Sequence, residues 1–390
     1  MELRLKVKLG DIADFANGIN FDKSAYRPGV KIIGVSDFKD YTTPHIDALG
    51  EVSEDAVKSN AFLQCNDIVF VRSNGNKDLV GRCMIIPKTD APLTYSGFCI
   101  RCRIKDTTAN DPKFYLYLFK SPIFRKLLSN NSVGANIQNL SQARLARMEL
   151  TVPNFEIQCK ISDILSAYDN MIDNCKRQIA LLEEAAQRLY REWFVDLRFP
   201  GHETTPVGED GIPIDWKIVP ITSIYDIHYG KTLATKYITE TGKYPVYGSS
   251  KCIGYFDKKN VDDYKVLITS RGNAGRVHRT YHKESFVSNN SFVVDTQIDY
   301  SYIPFSYIFY SLIELDLTRI VNGSAQQQLT NSMLEHVEVT LPTKEVLIKF
   351  GELCNPYISL INELTGLVAM CNTARNELLP RLISGQIEIE

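Results

Sequence analysis

Large apolar side chains recur along two stretches of this chain at alternating intervals of four and three. In the first, Ile161, Leu165, Tyr168, Ile172, Cys175, Ile179, Leu182, Ala186, Leu189 and Trp193 fall on one face of a helix, and the residues between them are mostly polar. In the second, Phe350, Cys354, Tyr357, Ile361, Leu364, Val368, Cys371, Leu378 and Leu382 do the same. Arg375 is the one charged residue in register, and it is expected to snorkel at an edge. Asn154 and Thr343 follow prolines and are expected N-caps; Pro356 and Gly366 should bend or loosen the second helix. The span from Ile161 to Trp193 makes a rod of about 48 Å at 1.5 Å per residue. Each stripe must find a mate, because burying one such side chain is worth roughly 1.5–3 kcal/mol. The simplest arrangement pairs the two helices with each other.

The second stripe is a copy of the first. Gly134, Leu140, Leu145, Glu149, Thr151, Pro153, Tyr168, Ile172 and Leu189 recur as Gly323, Leu329, Leu334, Glu338, Thr340, Pro342, Tyr357, Ile361 and Leu378, always at 323 − 134 = 189 residues. Upstream of Gly134 the halves align only with gaps. A duplication closed by a pseudo-dyad favours antiparallel pairing of the helices. Before each helix lies a strand-rich segment. Strands are expected at 67–72, 83–86 and 97–100, and again at 264–269 and 291–294, with helical stretches at 114–128 and 307–320. Residues 200–215 are polar, contain Pro and Gly, and read as a linker. The expected organisation is a first recognition-type domain at 1–153, a central helix at 154–199, the linker, a second domain at 216–342 and a C-terminal helix at 343–390. The fold class is α+β: two mixed α/β domains separated by a long antiparallel two-helix coiled coil, an internal repeat with pseudo-two-fold symmetry.

Composition narrows the function. At 390 residues, 44% hydrophobic and 23% charged, the chain has ordinary globular proportions and exceeds one core. No apolar run approaches the ~20 residues of a membrane helix. The start, Met1-Glu2-Leu3-Arg4-Leu5-Lys6, carries no apolar signal core, so a cytoplasmic location without membrane contact is expected. The nine cysteines are scattered; Cys99 and Cys102 form a lone CxxC in a strand-like run and read as buried thiols. Net charge is −2, but residues 1–153 carry 21 Lys+Arg against 16 Asp+Glu, whereas residues 216–343 carry 13 against 12. A polyanion partner would have to be held by local patches.

Catalytic chemistry finds little support. Asn355-Pro356-Tyr357 lacks the second proline of a methyltransferase motif and sits in the heptad seam. Tyr229-Gly230-Lys231-Thr232 resembles the end of a P-loop, but Tyr225 stands where its first glycine belongs. The six histidines show no metal-binding spacing, so neither a catalytic nor a metal site is expected. Two loops attract more interest. Arg72, Ser73, Asn74, Asn76, Lys77 and Arg82 lie on a Gly-containing turn after a strand, and Arg271, Asn273 and Arg276 do so in the second half. Arg forks to guanine, Asn pairs with adenine, and Lys and Arg take phosphates. The alternative is a hairpin with solvated charges. A second pair of segments carries amides: Asn136, Gln138 and Asn139, then Gln326, Gln327 and Gln328. These suit base edges and turn-to-helix caps equally. Lys231 joins the candidate DNA contacts. The candidate helix-pairing residues are Ile161, Leu165, Tyr168, Ile172, Ile179, Leu182, Leu189, Trp193, Tyr357, Ile361, Leu364, Val368, Leu378 and Leu382.

Taken in order, these segments resemble the DNA specificity subunit of type I restriction–modification systems. The resemblance rests on Lys8-Leu9-Gly10-Asp11-Ile12, Gly211-Ile212-Pro213-Ile214-Asp215-Trp216, the Leu-Ser/Thr-x3-Leu runs, Trp193-Phe194-Val195-Asp196 and Leu379-Pro380-Arg381-Leu382-Ile383-Ser384-Gly385. It covers nearly the whole chain, although the first half lacks the Trp-type opening. It implies a non-catalytic subunit whose two target-recognition domains read double-stranded DNA while its helices set their spacing. It also implies docking of two methyltransferase subunits and of restriction/translocase subunits. S-adenosylmethionine, ATP and magnesium would then belong to those partners and not to this chain. A 48 Å rod corresponds to about 14 bp at 3.4 Å per step, and dissimilar domains imply a bipartite, asymmetric target. The competing reading is a coiled-coil scaffold with two protein-binding domains and no DNA role.

Overall fold

A computed structural model of the chain describes residues 4–39, 42–74, 79–130, 139–321 and 328–389. Two compact units emerge. One comprises residues 1–172 and 370–390, the other residues 173–369. Each therefore combines one β-rich domain with part of both long helices.

The first unit contains strands β1 (Leu5–Lys8), β2 (Ala13–Asn17), β3 (Val30–Ile33), β4 (Gly50–Val52), β5 (Ile68–Val71), β6 (Cys83–Ile85), β7 (Leu93–Tyr95), β8 (Cys99–Ile104) and β9 (Glu149–Val152). Its helices are α1 (Leu9–Ile12), α2 (Pro112–Lys120), α3 (Pro122–Asn130), α4 (Gln142–Ala146) and the start of α5 (Phe155–Phe194). The strands form an antiparallel sheet ordered β2-β8-β5-β6, a three-stranded sheet β4-β3-β7 whose β3–β7 pair is parallel, and the ladder β1–β9. The central strand β5 is buried at all four positions, as its unbroken Ile-Val-Phe-Val run requires. The α2 helix starts where Asp111 accepts from the amides of Lys113 and Phe114 and Pro112 occupies the first turn.

The second unit repeats this plan strand for strand. It contains β10 (Lys217–Pro220), β11 (Tyr225–Tyr229), β12 (Tyr244–Tyr247), β13 (Cys252–Phe256), β14 (Val266–Thr269), β15 (Val277–Arg279), β16 (Phe286–Val287), β17 (Ser291–Thr296) and β18 (Glu338–Leu341). Their order is β11-β17-β14-β15, β13-β12-β16 with a parallel β12–β16 pair, and β10–β18. Helices α6 (Ile221–Ile224), α7 (Phe305–Glu314), α8 (Asn331–Leu334) and α9 (Lys344–Ser384) take the places of α1, α2, α4 and α5. This pairing accounts for the gaps upstream of Gly134. The offset is 212 between Leu5 and Lys217, 198 between Ile68 and Val266, 192 between Cys99 and Ser291, and 189 between Glu149 and Glu338. Several connections in the second half are shorter, above all that between β12 and β14, and the strands they join are kept.

The heptad stripes pair in antiparallel fashion within each unit. In the first, Ile161 and Leu165 share a core with Leu382 and Ile383, with Leu378 against it, while Asp169, further along α5, pairs with Arg375, further back on α9. In the second, Trp193 and Tyr190 touch the Phe350 ring at 5.7 and 6.2 Å, and the earlier Ala186 shares a core with Cys354 and the later Ile358. Of the fourteen candidate pairing residues, Ile161, Leu165, Ile172, Trp193, Ile361, Leu364 and Leu382 are buried; Tyr168, Ile179, Leu182, Leu189, Tyr357, Val368 and Leu378 are half-buried. Asn154 caps α5 by accepting from the Ile157 amide (3.0 Å). The α9 helix runs on through Pro356 and Gly366.

Arg375 corrects the sequence reading. It does not snorkel at an edge; its guanidinium pairs with buried Asp169, which also accepts from the Tyr117 hydroxyl (2.6 Å). The half-buried guanidinium is held there by that carboxylate and by the side-chain carbonyls of Asn372 and Asn376, to which it donates at 3.1 Å each. A buried cation, Arg279 on β15, carries no sign of its burial in the sequence. It is 1% exposed, reaches Asn362 (3.3 Å) and Glu183 (3.9 Å), and lies over the rings of Tyr281 and Phe309. Burial pushes the Glu183 carboxyl up, against the pull of Arg279.

Candidate nucleic-acid interface

In each unit four backbone segments converge at one end of the four-stranded sheet. In the first, the chain leaves β2 at Gly18-Ile19 and runs beside the turn Ser96-Gly97-Phe98 that joins β7 to β8. The Ile19 amide donates to the Tyr95 carbonyl (3.2 Å), and the Gly97 amide to the Ile19 carbonyl (2.8 Å). The chain leaving β5 is held by the same turn, since the Arg72 amide donates to the Phe98 carbonyl (2.8 Å). The stretch entering α4 closes the group: Ser73 and Asn139 form an antiparallel bridge, and the Leu140 amide donates to the Arg72 carbonyl (2.8 Å).

The second unit builds the same crossing. The Lys231 amide donates to the Val287 carbonyl (3.0 Å), and the Asn289 amide to the Lys231 carbonyl (3.1 Å). The Ser270 amide donates to the Asn290 carbonyl (2.8 Å), Arg271 bridges Gln328, and the Leu329 amide donates to the Ser270 carbonyl (2.9 Å). Gly18 and Gly230 make the close approach possible. A Cβ on Gly18 would stand 2.1 Å from the Ser96 carbonyl oxygen, and one on Gly230 would stand 2.4 Å from that of Ser288.

The two loops that sequence analysis singled out are thus joined to the two amide segments, in both halves. Arg72, Ser73 and Asn74 are half-buried where the chain leaves β5, and Arg82 is half-buried on the return to β6. Asn139 is exposed. Lys231, Arg271, Asn273 and Arg276 are exposed, and Gln328 is half-buried. Asn76, Lys77, Asn136, Gln138, Gln326 and Gln327 lie outside the described residues. The loops correspond with a shift of one residue: Ser73, not Arg72, stands where Arg271 stands, because Arg72 and Ser270 accept the equivalent amides. Arg82 and Arg276 are equivalent, their carbonyls accepting from the last residues of β5 and β14. The second loop is the shorter and turns tightly, with Gly272 and Gly275 both at φ +84°.

Sequence reasoning passes over part of this edge. Phe98, Asn289 and Asn290 lie on the crossing turns, and Ile19 holds the place of Lys231. A signal exists: Ser96-Gly97-Phe98-Cys99 and Ser288-Asn289-Asn290-Ser291 begin with serines 192 residues apart, but that offset differs from 189. The resulting edges differ in chemistry. The first presents Ile19, Ser73 and an exposed phenyl at Phe98; the second presents Lys231, Arg271 and Asn290.

Below the second edge, burial pushes His278 down to about 4, so its imidazole is neutral at pH 7 and contributes no charge. In the first unit Cys99 and Cys102 are buried on β8, and burial pushes both thiols up, Cys99 to about 12. Among the described residues no cluster of His, Cys, Asp and Glu has the arrangement of a metal site, and no helix is long and apolar enough to cross a membrane. The arrangement therefore offers hydrogen-bonding and apolar side chains on two frames, which is the equipment of a binding surface.

The sequence matches the type I restriction modification DNA specificity domain over residues 4–184 and 213–349. It is 25% identical to the type I restriction enzyme MjaIX specificity subunit of Methanocaldococcus jannaschii, covering 71% of this chain and 69% of that protein. It is 24% identical to the putative type I restriction enzyme MjaX specificity subunit of the same organism, covering 95% and 89%. In fold it is similar to the crystal structure of the type I restriction–modification S subunit from M. genitalium, with a TM-score of 0.66 at 16% identity, over 98% of this chain and 96% of that one. The family match covers both halves of the duplication and most of the chain, and this protein belongs to the specificity subunits of type I restriction–modification systems.

Proposed function

We propose that the two crossings are the reading edges of the two target-recognition domains, each facing one half of a bipartite, asymmetric DNA site. The observation that carries this reading is the retention of one backbone frame in both units with different side chains mounted on it. A frame kept twice and furnished differently suits recognition of two different short sequences. Arg271, Asn273, Lys231 and Gln328 would donate to base edges or phosphates in one half; Ser73, Asn74, Asn139 and Phe98 would meet the other.

The paired helices set the separation of the two edges and dock two methyltransferase subunits, with restriction/translocase subunits joining that assembly. This chain carries no chemistry of its own in that scheme. Partners bring S-adenosylmethionine for adenine methylation, and ATP and magnesium for translocation and cleavage. The test is to replace residues 1–153 with the corresponding domain of a relative, co-express with the methyltransferase subunits, and map methylated adenines across a genome. Half of the recognised sequence should change and the other half should persist. Loss of both halves together, or persistence of both, would exclude two independent readers.

A further inference from the structure

The loop of the second domain that carries Arg271, Asn273 and Arg276 runs straight into strand β15, and Arg279 stands three residues beyond Arg276, about 10 Å along the strand. Its backbone belongs to the four-stranded sheet, paired in register with Val266 of β14. Its side chain leaves the sheet and ends among the helices. The guanidinium donates through Nη1 to the side-chain carbonyl of Asn362 on α9 (3.3 Å), stands 3.9 Å from the Glu183 carboxylate of α5, and lies over the Phe309 ring of α7 at 5.4 Å. The Tyr281 ring covers it at 4.8 Å. One side chain thus joins the strand that carries the loop to both long helices, all within the second unit.

Stability does not account for this residue. A buried guanidinium loses its hydration, and here Nε and Nη2 find no hydrogen-bond acceptor among the described residues. The equivalent position of the first unit is Ile85 on β6, buried in the core, so the same frame accepts an aliphatic side chain there. Replacing a buried ion by a well-packed apolar group is often neutral or stabilising. What the cation adds is direction. Apolar packing is non-directional and tolerates a range of seatings. A planar guanidinium meets an amide, a carboxylate and two rings in one orientation.

We propose that Arg279 is a positioning residue: it fixes the seat of the second reading edge on α5 and α9, and so makes the complex selective for one spacer between the two half-sites. The proposal rests on the reading of the crossings as DNA-facing edges. With its side chain 1% exposed, Arg279 does not itself meet DNA. It acts through the strand it shares with the loop and leaves base reading to Arg271 and its neighbours.

The test uses the full chain assembled with its methyltransferase partners. Methylated adenines are mapped across a genome for the parent and for Arg279→Met. Methylation rates are then compared on duplexes that carry both half-sites at the parent spacer and at one base pair more or less. Both half-sequences should persist and the rate at the parent spacer should stay near the parent's, while discrimination against the altered spacers falls about tenfold. A general loss of structure would lower all the rates together and leave that discrimination in place. Glu183→Ala cuts only the tie to α5, at a half-exposed position where alanine keeps the helix, and should lower the same discrimination by about threefold. Unchanged spacer discrimination in Arg279→Met, or in Glu183→Ala should the methionine variant fail to assemble, overturns the proposal. A changed half-sequence in either variant would make Arg279 part of base reading and overturn it as well. A parent whose methylated sites are not two half-sequences at one fixed spacing would remove the two-reader model itself, an outcome read before either variant is made.

Discussion

The two helix junctions solve one packing problem with different chemistry. In the first unit Asp169 of α5 takes the Tyr117 hydroxyl of α2 and the guanidinium of Arg375 of α9. At the duplicated positions of the second unit stand Ile358, Tyr310 and Ala186. Ile358 and Ala186 pack in the core, and the Tyr310 hydroxyl is buried without a hydrogen-bond partner. The second unit instead places its buried cation on the sheet, as Arg279 where the first has Ile85, and meets it with Asn362, Glu183 and two aromatic rings. One backbone therefore accepts either an ionic or an apolar seam at the same place. What it does not accept is half of an ionic one, because a lone buried charge loses its hydration without compensation.

The largest test of that comparison is Asp169→Ala, which removes the carboxylate that pairs with Arg375. It should cost about 3–5 kcal/mol of stability in denaturant unfolding. The double change Asp169→Ile with Arg375→Ala installs the second unit's own solution and should recover most of the loss. A double variant no more stable than the single one would show that the two junctions are not interchangeable.

The tyrosines refine the picture. Tyr117→Phe removes a hydrogen bond to a carboxylate and should cost about 1.5–3 kcal/mol. Tyr310→Phe removes only an unpartnered hydroxyl and should leave stability within about 0.5 kcal/mol or raise it. Equal losses at both positions would contradict the difference between the seams.

At the proposed reading edges the contrast is Arg271 against its counterpart Ser73. Arg271→Ala should lower specific DNA affinity by about 1–3 kcal/mol and relax one half of the recognised sequence, measured by binding and methylation mapping. Ser73→Ala should act on the other half, and more weakly, since a hydroxyl makes one contact where a guanidinium makes two. If methylation by an Arg271→Ala complex is unaltered, Arg271 does not belong to the reading surface.

Much of the scaffold is legible directly. Ile161, Leu165, Trp193, Ile361 and Leu382, which the heptad spacing picks out, are buried, and the strands at 68–71 and 266–269 lie where unbroken apolar runs place them. Periodicity is a local property, so it survives in the one-dimensional record. The polar members of the cores are harder to read. Asp169 and Asn362 look like solvated helix positions, and Arg279 like an exposed strand residue; the ion pair of Asp169 with Arg375 and the hydrogen bond of Arg279 to Asn362 both join residues more than 80 positions apart. The edge residues Phe98, Asn289 and Asn290 are hidden for a related reason. Their equivalence runs at an offset of 192, which becomes visible only after the strands are paired.

The sequence by itself determined the duplication, the two heptad helices, the strand-rich segments between them and the family, since each depends on order and spacing along the chain. The tertiary structure alone decided the pairing of Asp169 with Arg375, the match of Ser73 with Arg271, and the meeting of the strand loops with the amide segments. Those outcomes depend on which backbone amide reaches which distant carbonyl, and on where a buried charge finds its partner. Both are relations across space that a linear pattern does not encode.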